Sequence, residues 1–173
     1  MTVLDNYTQW HNNYSSGWLA AFQQTGKINW DLYPWPSNNS DVAGPGIDVR
    51  KARLVLVSSS GAYLPASQPA FDAENDLGDY GIRLIPLATP LRQIAYAHTH
   101  YDHTAVNADP QVLLPLNHLD EMMAAGEIGD LADNVISFMG YQPDLGRVVD
   151  ECIPAIVAAA QRERANAAVL VPS

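Results

Sequence analysis

The chain contains little cysteine and no long apolar run. Its 173 residues include one cysteine, Cys152, so no disulfide can form within it. No stretch reaches the roughly 18 apolar residues that a membrane span requires. The N-terminus, MTVLDNYTQW, lacks the basic and then apolar pattern of a signal peptide. We therefore expect a cytoplasmic protein with no membrane partner.

Basic residues are also scarce. Lys and Arg number 9 and Asp and Glu 19, which gives a formal net charge of -10 with histidine neutral. Nucleic acids and anionic membrane surfaces are bound by clustered Lys and Arg, so we expect neither as a partner. The sequence also lacks a glycine-rich motif for a phosphate or a dinucleotide.

Aromatic residues are concentrated in the first fifty positions, which hold all four tryptophans. Four aromatic residues there recur at three- and four-residue spacing, which predicts one face of a helix. They are Tyr7, Trp10, Tyr14 and Trp18. Trp35 lies between two prolines, and the polar run to Asn39 predicts an ordered loop. We interpret residues 1–50 as a helix and aromatic, Pro-rich arm that packs over the main core, or alternatively covers a substrate pocket or a partner subunit.

Residues 51–173 alternate between short apolar strands and amphipathic helices. Strands are predicted at ARLVLVSSSG, IRLIPL, QIAYAH, NVISFMG and AAVLVPS. Helices are predicted at NHLDEMMAAG, which stops at Gly126, and at LGRVVDECIPAIVAAAQRERA, where Pro154 removes a backbone donor and is expected to kink the helix. The alternation predicts an α/β fold with a mostly parallel, doubly wound sheet in three α/β/α layers.

Three unusual strings follow predicted strands at their carboxyl ends, where open α/β sheets bind ligands. They are SSSGAY (Ser58–Tyr63), AHTHYDHT (Ala97–Thr104) and VPS (Val171–Ser173). If these strands are neighbours, hydroxyls and imidazoles converge on one rim of the sheet. The serine loop offers hydroxyls and backbone N–H groups for a carboxylate or oxyanion, although a polar turn between elements is an equally good interpretation.

The segment HTHYDH matches the H-x-H-x-D-H zinc signature of the metallo-β-lactamase hydrolases. Neutral imidazoles at His98, His100 and His103 suit zinc, and Asp102 between them can ligate a second metal or act as a base. That family needs another histidine well downstream, but here only His118 follows, inside a predicted helix. A metal-dependent hydrolase stays as an alternative, and structural hydrogen bonds are the ordinary explanation, which fits His98 best.

A longer pattern runs from Arg53 to Ser173. Its features occur in a fixed order: a strand with a Ser-Gly-x-Tyr turn, PAFD, GDYGIRLIP, YDHT followed by ADPQVLLPL, a helix, GEIG, and a closing strand. In this order and spacing, the chain resembles the B subunits of the glycine, sarcosine, betaine and D-proline reductases, the selenoprotein B group. HTHYDHT then corresponds to the YDH segment of that family, preceded by two further histidines.

The resemblance implies a reductase subunit that cleaves a C–N bond in a small amine or amino acid. It implies a selenocysteine or cysteine immediately after Ser173, whose selenolate or thiolate attacks carbon, and a thiol electron donor protein that regenerates it. No other cofactor is expected in this chain. Because the chain ends at Ser173, we expect either a selenoprotein that ends before its nucleophile or a short subunit that receives a nucleophile from another chain.

The residues matched to the YDH segment are the predicted catalytic residues: Tyr101, Asp102 and His103. His103 is expected to donate a proton to the leaving amine and Asp102 to bind a cationic amine, with His100 as a weaker candidate. The substrate carboxylate is assigned to Ser59, Ser60, Gly61 and Tyr63. Cys152 lies in the middle of a helix on its apolar face and is predicted to be a core residue, not a nucleophile.

The last predicted strand suggests a third possibility. Apolar surface near Val169–Val171 is expected to stay open, which favours a homo-oligomer or a partner reductase subunit. A non-catalytic subunit that binds its partner through the aromatic arm and this strand is therefore a further alternative to the enzyme.

Overall fold

The computed structural model describes residues 4–38 and 46–173. It begins with one continuous helical segment made of α1 (Tyr7–Asn13), a π-helical part (Tyr14–Leu19) and α2 (Ala20–Thr25). The predicted aromatic face is confirmed, because Trp10, Tyr14 and Trp18 are buried in one cluster. Residues 33–38 have no regular structure, and Asn39, where the predicted loop ends, lies outside the described residues.

Short strands and helices follow in the rest of the described chain. The strands are β1 (Arg53–Ser58), β2 (Ala62–Tyr63), β3 (Ile82–Pro86), β4 (Ala95–Tyr96), β5 (Asp130–Leu131), β6 (Asn134–Phe138) and β7 (Ala167–Val171). The helices are α3 (Thr104–Ala108), α4 (Leu116–Ala124), α5 (Leu145–Arg147) and α6 (Ile153–Arg162). A π-helical turn (Val148–Cys152) joins α5 to α6, and single 3-10 turns lie at Trp30–Leu32, Val49–Lys51, Leu91–Gln93 and Pro110–Val112.

The central sheet is built around β1. This strand pairs in parallel with β7 along one edge, and with β5 and then β6 along the other. Strand β3 joins β6 in the antiparallel direction and is the exception in a mostly parallel sheet. Because Ser58 lies opposite Val171 in the β1–β7 register, the residues that follow the two strands leave the sheet side by side.

Helices cover both faces of this sheet, as the three-layer prediction requires. Successive β1 side chains point to opposite faces. Val55 and Val57 pack with Ala159 of α6 on one face. On the other face, Leu54 and Leu56 belong to the cluster that includes the α4 residues Leu116 and Leu119.

The predicted strand QIAYAH is wrong in extent and in position. Its regular part, β4, has two residues and pairs antiparallel with β2 in a separate two-stranded sheet. The reason is the turn at Gly61, where φ is +66°, which directs the chain out of the central sheet after β1. The small β2–β4 ribbon nevertheless brings the histidine loop (Ala97–Thr104) beside the serine loop (Ser58–Tyr63). The Ala97 N–H donates to the Gly61 carbonyl at 3.0 Å.

The helix that contains Pro154 is irregular where the sequence predicts it. Pro154 is the second residue of α6 and follows the π-helical turn directly. The irregular turn therefore lies where Pro154 removes a backbone donor from the helix. Cys152 ends that turn and is buried, as predicted. Burial raises the pKa of its thiol.

The aromatic cluster of the N-terminal segment packs beside the main core. It contacts Leu77 and Leu145, and the Tyr33 hydroxyl donates to the Pro143 carbonyl at 2.8 Å. Across the described ranges 4–38 and 46–173, none of the helices has the length and apolar content needed to cross a bilayer.

Candidate functional site

The serine loop and the C-terminal segment meet at the carboxyl ends of β1 and β7. The Ser173 N–H donates to Ser59 Oγ at 2.8 Å, and Ser173 Oγ donates to the Ser59 carbonyl at 3.2 Å. The Ser59 N–H donates to the Val171 carbonyl at 3.1 Å, which extends the β1–β7 pairing. The parallel register of these strands therefore places the two segments together, as the sequence predicted.

A cavity of about 410 Å³ opens at this junction. Its lining residues come from the serine loop, the histidine loop, the end of β6 and the C-terminal segment: Ser59, His98, His100, Phe138, Gly140, Tyr141 and Ser173. No Asp, Glu, Lys or Arg of the described ranges is among them. Sequence reasoning missed Phe138, Gly140 and Tyr141, although their place directly after a predicted strand was a usable signal.

His98 is the buried polar residue of this cavity, with 5% of its surface exposed. Its Nδ1 accepts the backbone N–H of His100 at 3.2 Å. Burial, together with the smaller effects of the nearby His100 and His103, lowers the pKa of the His98 imidazole to about 4. The ring is therefore neutral at pH 7, and because Nδ1 is an acceptor, the proton sits on Nε2.

Two glycines make room for the His98 ring. A Cβ at Gly61 would lie 2.8 Å from the His98 Cβ and 2.9 Å from its backbone nitrogen. A Cβ at Gly140 would lie 3.2 Å from His98 Nε2. Gly140 lines the cavity, so the protonated edge of the imidazole faces the cavity wall at this point.

His100 presents an exposed imidazole at the same cavity. Its ring is stacked on Tyr141, with the centroids 3.9 Å apart and the planes 2° from parallel. Trp30 packs edge-on against Tyr141 at 6.1 Å, and Trp35 stacks on Trp30 at 6.1 Å. Aromatic contacts thus connect the N-terminal arm to the wall of the cavity.

The three residues of the YDH segment do not line the cavity. The Tyr101 hydroxyl donates to the Ser60 carbonyl at 3.2 Å, and His103 Nε2 donates to the His98 carbonyl at 2.6 Å. Asp102 Oδ1 accepts the N–H of Thr104 at 2.8 Å and its hydroxyl at 2.7 Å, which lowers the pKa of the carboxyl. These four hydrogen bonds hold the histidine loop in shape, and the catalytic roles assigned to Tyr101, Asp102 and His103 stay predictions.

Among the residues assigned to the substrate carboxylate, Ser59 is the one that lines the cavity. The Gly61 N–H is already donated to the Phe138 carbonyl at 2.8 Å. Ser60 Oγ is buried and has no hydrogen-bond partner within the described ranges. Tyr63 lies in β2, opposite Ala95.

The metal alternative gains no support from the described part of the chain. Within residues 4–38 and 46–173, no three His, Cys, Asp or Glu side chains are grouped so that they could hold a metal ion. His103 points its Nε2 at a carbonyl, and His98 uses Nδ1 as an acceptor, so these two ring nitrogens are already engaged in hydrogen bonds within the loop.

A larger cavity of about 860 Å³ lies elsewhere, between residues 86–92 and α4. Its wall is formed by leucines such as Leu87, Leu91 and Leu116, with Arg92 and Asp120 among its polar residues. It contains no imidazole, thiol or hydroxyl nucleophile other than Thr89. We therefore take the smaller cavity, where three predicted segments meet, as the candidate site.

Comparison with known proteins agrees with the sequence pattern. The family model for glycine/sarcosine/betaine reductase selenoprotein B matches residues 32–170. The chain is 26% identical to a protein named D-proline reductase subunit gamma from Acetoanaerobium sticklandii, over 123 residues that cover 71% of this chain and 49% of the relative. It is 32% identical to one named glycine reductase complex component B subunit gamma from Symbiobacterium thermophilum, over 104 residues that cover 58% and 24% of the two.

The chain thus spans about half the length of the first of these curated relatives and less of the second. No solved structure matches it. The family match covers most of the chain, including the serine loop, the histidine loop and the end of β6, which line the candidate site together with Ser173. The chain belongs to the glycine/sarcosine/betaine reductase selenoprotein B family.

Proposed function

We propose that this chain is part of a reductase that cleaves the C–N bond of a small amine or amino acid at the Ser59–His98–His100 cavity. Overall, the C–N bond is replaced by a C–H bond and an N–H bond. A dithiol supplies the two electrons and two protons and becomes a disulfide. The observation that carries the proposal is the convergence of hydroxyls and imidazoles at one rim, in a chain that belongs to a reductase family.

The first covalent step needs a selenium or sulfur nucleophile. We propose a selenocysteine or cysteine directly after Ser173, as the resemblance implies, and a nucleophile supplied by another chain is the alternative. The position of Ser173 in the cavity wall supports the first arrangement, because a residue joined to its carbonyl carbon begins at the cavity. The chalcogen attacks carbon and the C–N bond breaks, which leaves the substrate carbon bonded to the chalcogen and releases the nitrogen with a proton. One thiol of the dithiol then attacks the chalcogen, and the carbon leaves with a proton as the C–H product. The second thiol attacks the resulting mixed bond, which forms the disulfide and restores the selenolate or thiolate.

The leaving amine requires a proton donor. The assignment of this role to His103 stays a prediction from the YDH match. The lining of the cavity favours His100, because its imidazole is exposed there and held in place by the stack on Tyr141. Histidine is the side chain that most often serves as a general acid near neutral pH.

A reductase reconstituted with its partner subunits tests this function. Amine release from glycine, sarcosine and betaine, and ring opening of D-proline, would be measured with a dithiol as the reductant. We expect turnover of at least one substrate and a loss of about 100-fold or more in His100→Gln, since general acids typically contribute 10²–10⁴-fold. His118→Gln, on an exposed face of α4, is the matched control. The absence of turnover with all four substrates and a dithiol would overturn the proposal.

The proposed assembly includes other proteins. The two relatives are named as subunits, and we propose a thiol electron donor protein together with a second copy or a partner reductase subunit. We also propose a cytoplasmic location, because a selenol or thiol nucleophile must stay reduced between turnovers.

A non-catalytic, partner-binding role is the second candidate. One observation favours it: Leu170 on the edge strand β7 is 72% exposed. Leu170→Lys would then weaken assembly with partner subunits in size-exclusion chromatography, while His100→Gln would leave reductase activity unchanged. The opposite pattern, with loss of activity in His100→Gln, supports the catalytic role.

A further inference from the structure

The Nε2–H group of His98 faces the cavity, and no acceptor in the described part of the chain forms a hydrogen bond with it. Its Nδ1 is occupied by the His100 N–H, so Nε2 carries the proton. No acceptor within the described ranges contacts Nε2, and the atom is not sealed from solvent. An imidazole that is 5% exposed and keeps a free donor at a cavity points to a ligand there.

Ser59 supplies a second donor beside the first. Its Oγ accepts the Ser173 N–H, so its own hydrogen points elsewhere. That hydrogen can reach Ser173 Oγ, 3.1 Å away, which is an exposed hydroxyl that a ligand oxygen can replace. A Cβ at Gly140 would lie 3.2 Å from His98 Nε2 and 3.3 Å from Ser59 Oγ, so the two donors flank the same point above Gly140.

Two hydrogen-bond donors at this point of the cavity favour a ligand group that accepts hydrogen bonds. Two neutral N–H and O–H donors suit the oxygens of a carboxylate, which only accepts hydrogen bonds. An ammonium group brings donors alone, and no carboxylate of the described ranges lines the cavity to receive them. Phe138 and Tyr141 also line the cavity, and the Tyr141 ring is stacked on His100.

We propose that His98 Nε2–H and Ser59 Oγ–H bind the carboxylate of a small amino-acid substrate above Gly140. This inference rests on the proposed function and names the group by which the cavity recognises its substrate. The two donors fix the carboxylate end, so the C–N bond points toward His100 and Tyr141. His98 is then a substrate-binding residue whose ring stays neutral, and the two glycines keep space around it.

Nitrogen NMR of the histidine rings in the 173-residue protein tests the contact directly. We expect His98 as the Nε2–H tautomer, with a saturable downfield shift of that proton on titration with glycine or betaine. Titration with acetate shows whether a carboxylate without an amino group is enough to shift the His98 Nε2 proton. Choline is the matched control, because it has the trimethylammonium group of betaine without the carboxylate. An Nδ1–H tautomer, or equal shifts with choline and betaine, would overturn the inference.

Gly140→Ala tests the same contact by steric exclusion. The backbone of Gly140 is not left-handed, so an alanine can adopt its conformation. The new methyl group would lie 3.2 Å from His98 Nε2 and 3.3 Å from Ser59 Oγ, where it excludes a ligand from the space between the two donors. We expect the substrate KM or Kd to rise about tenfold or more in Gly140→Ala and in Ser59→Ala, since one hydrogen bond to a charged group has about that effect. Gly17→Ala, where a Cβ meets no atom within 4 Å, should bind normally.

The two proposals fail in different ways. If the assembled reductase turns over its substrate and KM is unchanged in both Gly140→Ala and Ser59→Ala, the carboxylate site is wrong and the reductase function stands. If no substrate is turned over, the reductase function fails, and the NMR titration of the chain still decides whether carboxylates bind at His98. A folded Gly140→Ala, checked by its thermal unfolding midpoint, removes misfolding as an explanation.

Discussion

His100 and Tyr141 are stacked face to face, with ring centroids 3.9 Å apart and planes within 2° of parallel. The two residues come from different loops, one after β4 and one after β6. The contact therefore ties the histidine loop to the central sheet at the wall of the cavity. It also holds the imidazole that we propose as the proton donor.

Loss of the Tyr141 ring should loosen this imidazole. We expect Tyr141→Leu to lower kcat of the assembled reductase several-fold and to destabilise the fold by about 1 kcal/mol, the usual contribution of an aromatic pair. Tyr141→Phe keeps the ring and removes only the hydrogen bond from the hydroxyl to the Asp76 carbonyl, so its kcat should stay near the unmodified value. An equal loss of kcat in Tyr141→Leu and Tyr141→Phe would contradict this, because it would assign the effect to the Tyr141 hydroxyl and not to its ring.

The buried His98 should make stability depend on pH. Its pKa is about 4 in the folded chain and about 6.5 for an unperturbed histidine, so between these limits the unfolded chain binds more protons. The contribution of His98 to the free energy of unfolding is therefore fully present above pH 6.5 and is lost as the pH drops toward 4. From pH 7 to pH 5, the free energy of unfolding should fall by about 2 kcal/mol from this group.

Urea unfolding at a series of pH values measures this dependence. His98→Gln removes the titrating group, so the difference between the two proteins isolates its contribution. A parallel loss of stability in His98→Gln over pH 7 to 5 would show that other groups cause it.

Gly61→Ala should destabilise the fold by about 3 kcal/mol or more. Two causes add: a φ of +66°, which costs a residue with a Cβ about 1 kcal/mol, and contact of the new methyl with His98 at 2.8 Å. Gly26→Ala is the matched control, since its φ is +63° and no atom lies within 4 Å. Similar free energies of unfolding for both variants would show that the close approach to His98 costs nothing.

Cys152 should be unreactive in the folded protein. Its side chain is buried, its thiol pKa is raised by burial, and Gln142 Nε2 lies 3.5 Å from Sγ. Iodoacetamide at pH 8 should label it slowly in the native chain and rapidly in urea, as followed by intact mass. Fast stoichiometric labelling without urea would place a reactive thiol where we find a core residue.

Much of the sheet follows from local sequence. Strands β1, β6 and β7 are apolar runs bounded by turn residues, and parallel pairing then brings Ser59 and Ser173 to one rim. The extent of β4 was not predictable, because the turn at Gly61 decides that its segment pairs with β2 and not with the sheet. A positive φ at a glycine cannot be read from the sequence.

The details of the site depend on contacts between distant segments. The tautomer of His98 is set by the His100 backbone N–H, and the orientation of His100 by a ring that is 41 positions along the chain. The sequence predicted a loop that lines the candidate cavity, but it ranked His103 above His98 and His100, the histidines that line it. The spacing of three histidines does not show which ring faces inward.

Hydrogen–deuterium exchange with and without saturating substrate tests the location of the site most directly. Our account predicts slower exchange at the backbone amides around Ser59, His98–Tyr101 and Gly140–Tyr141, with little change elsewhere. Protection confined to residues 86–92 and α4, which border the larger cavity, would contradict it.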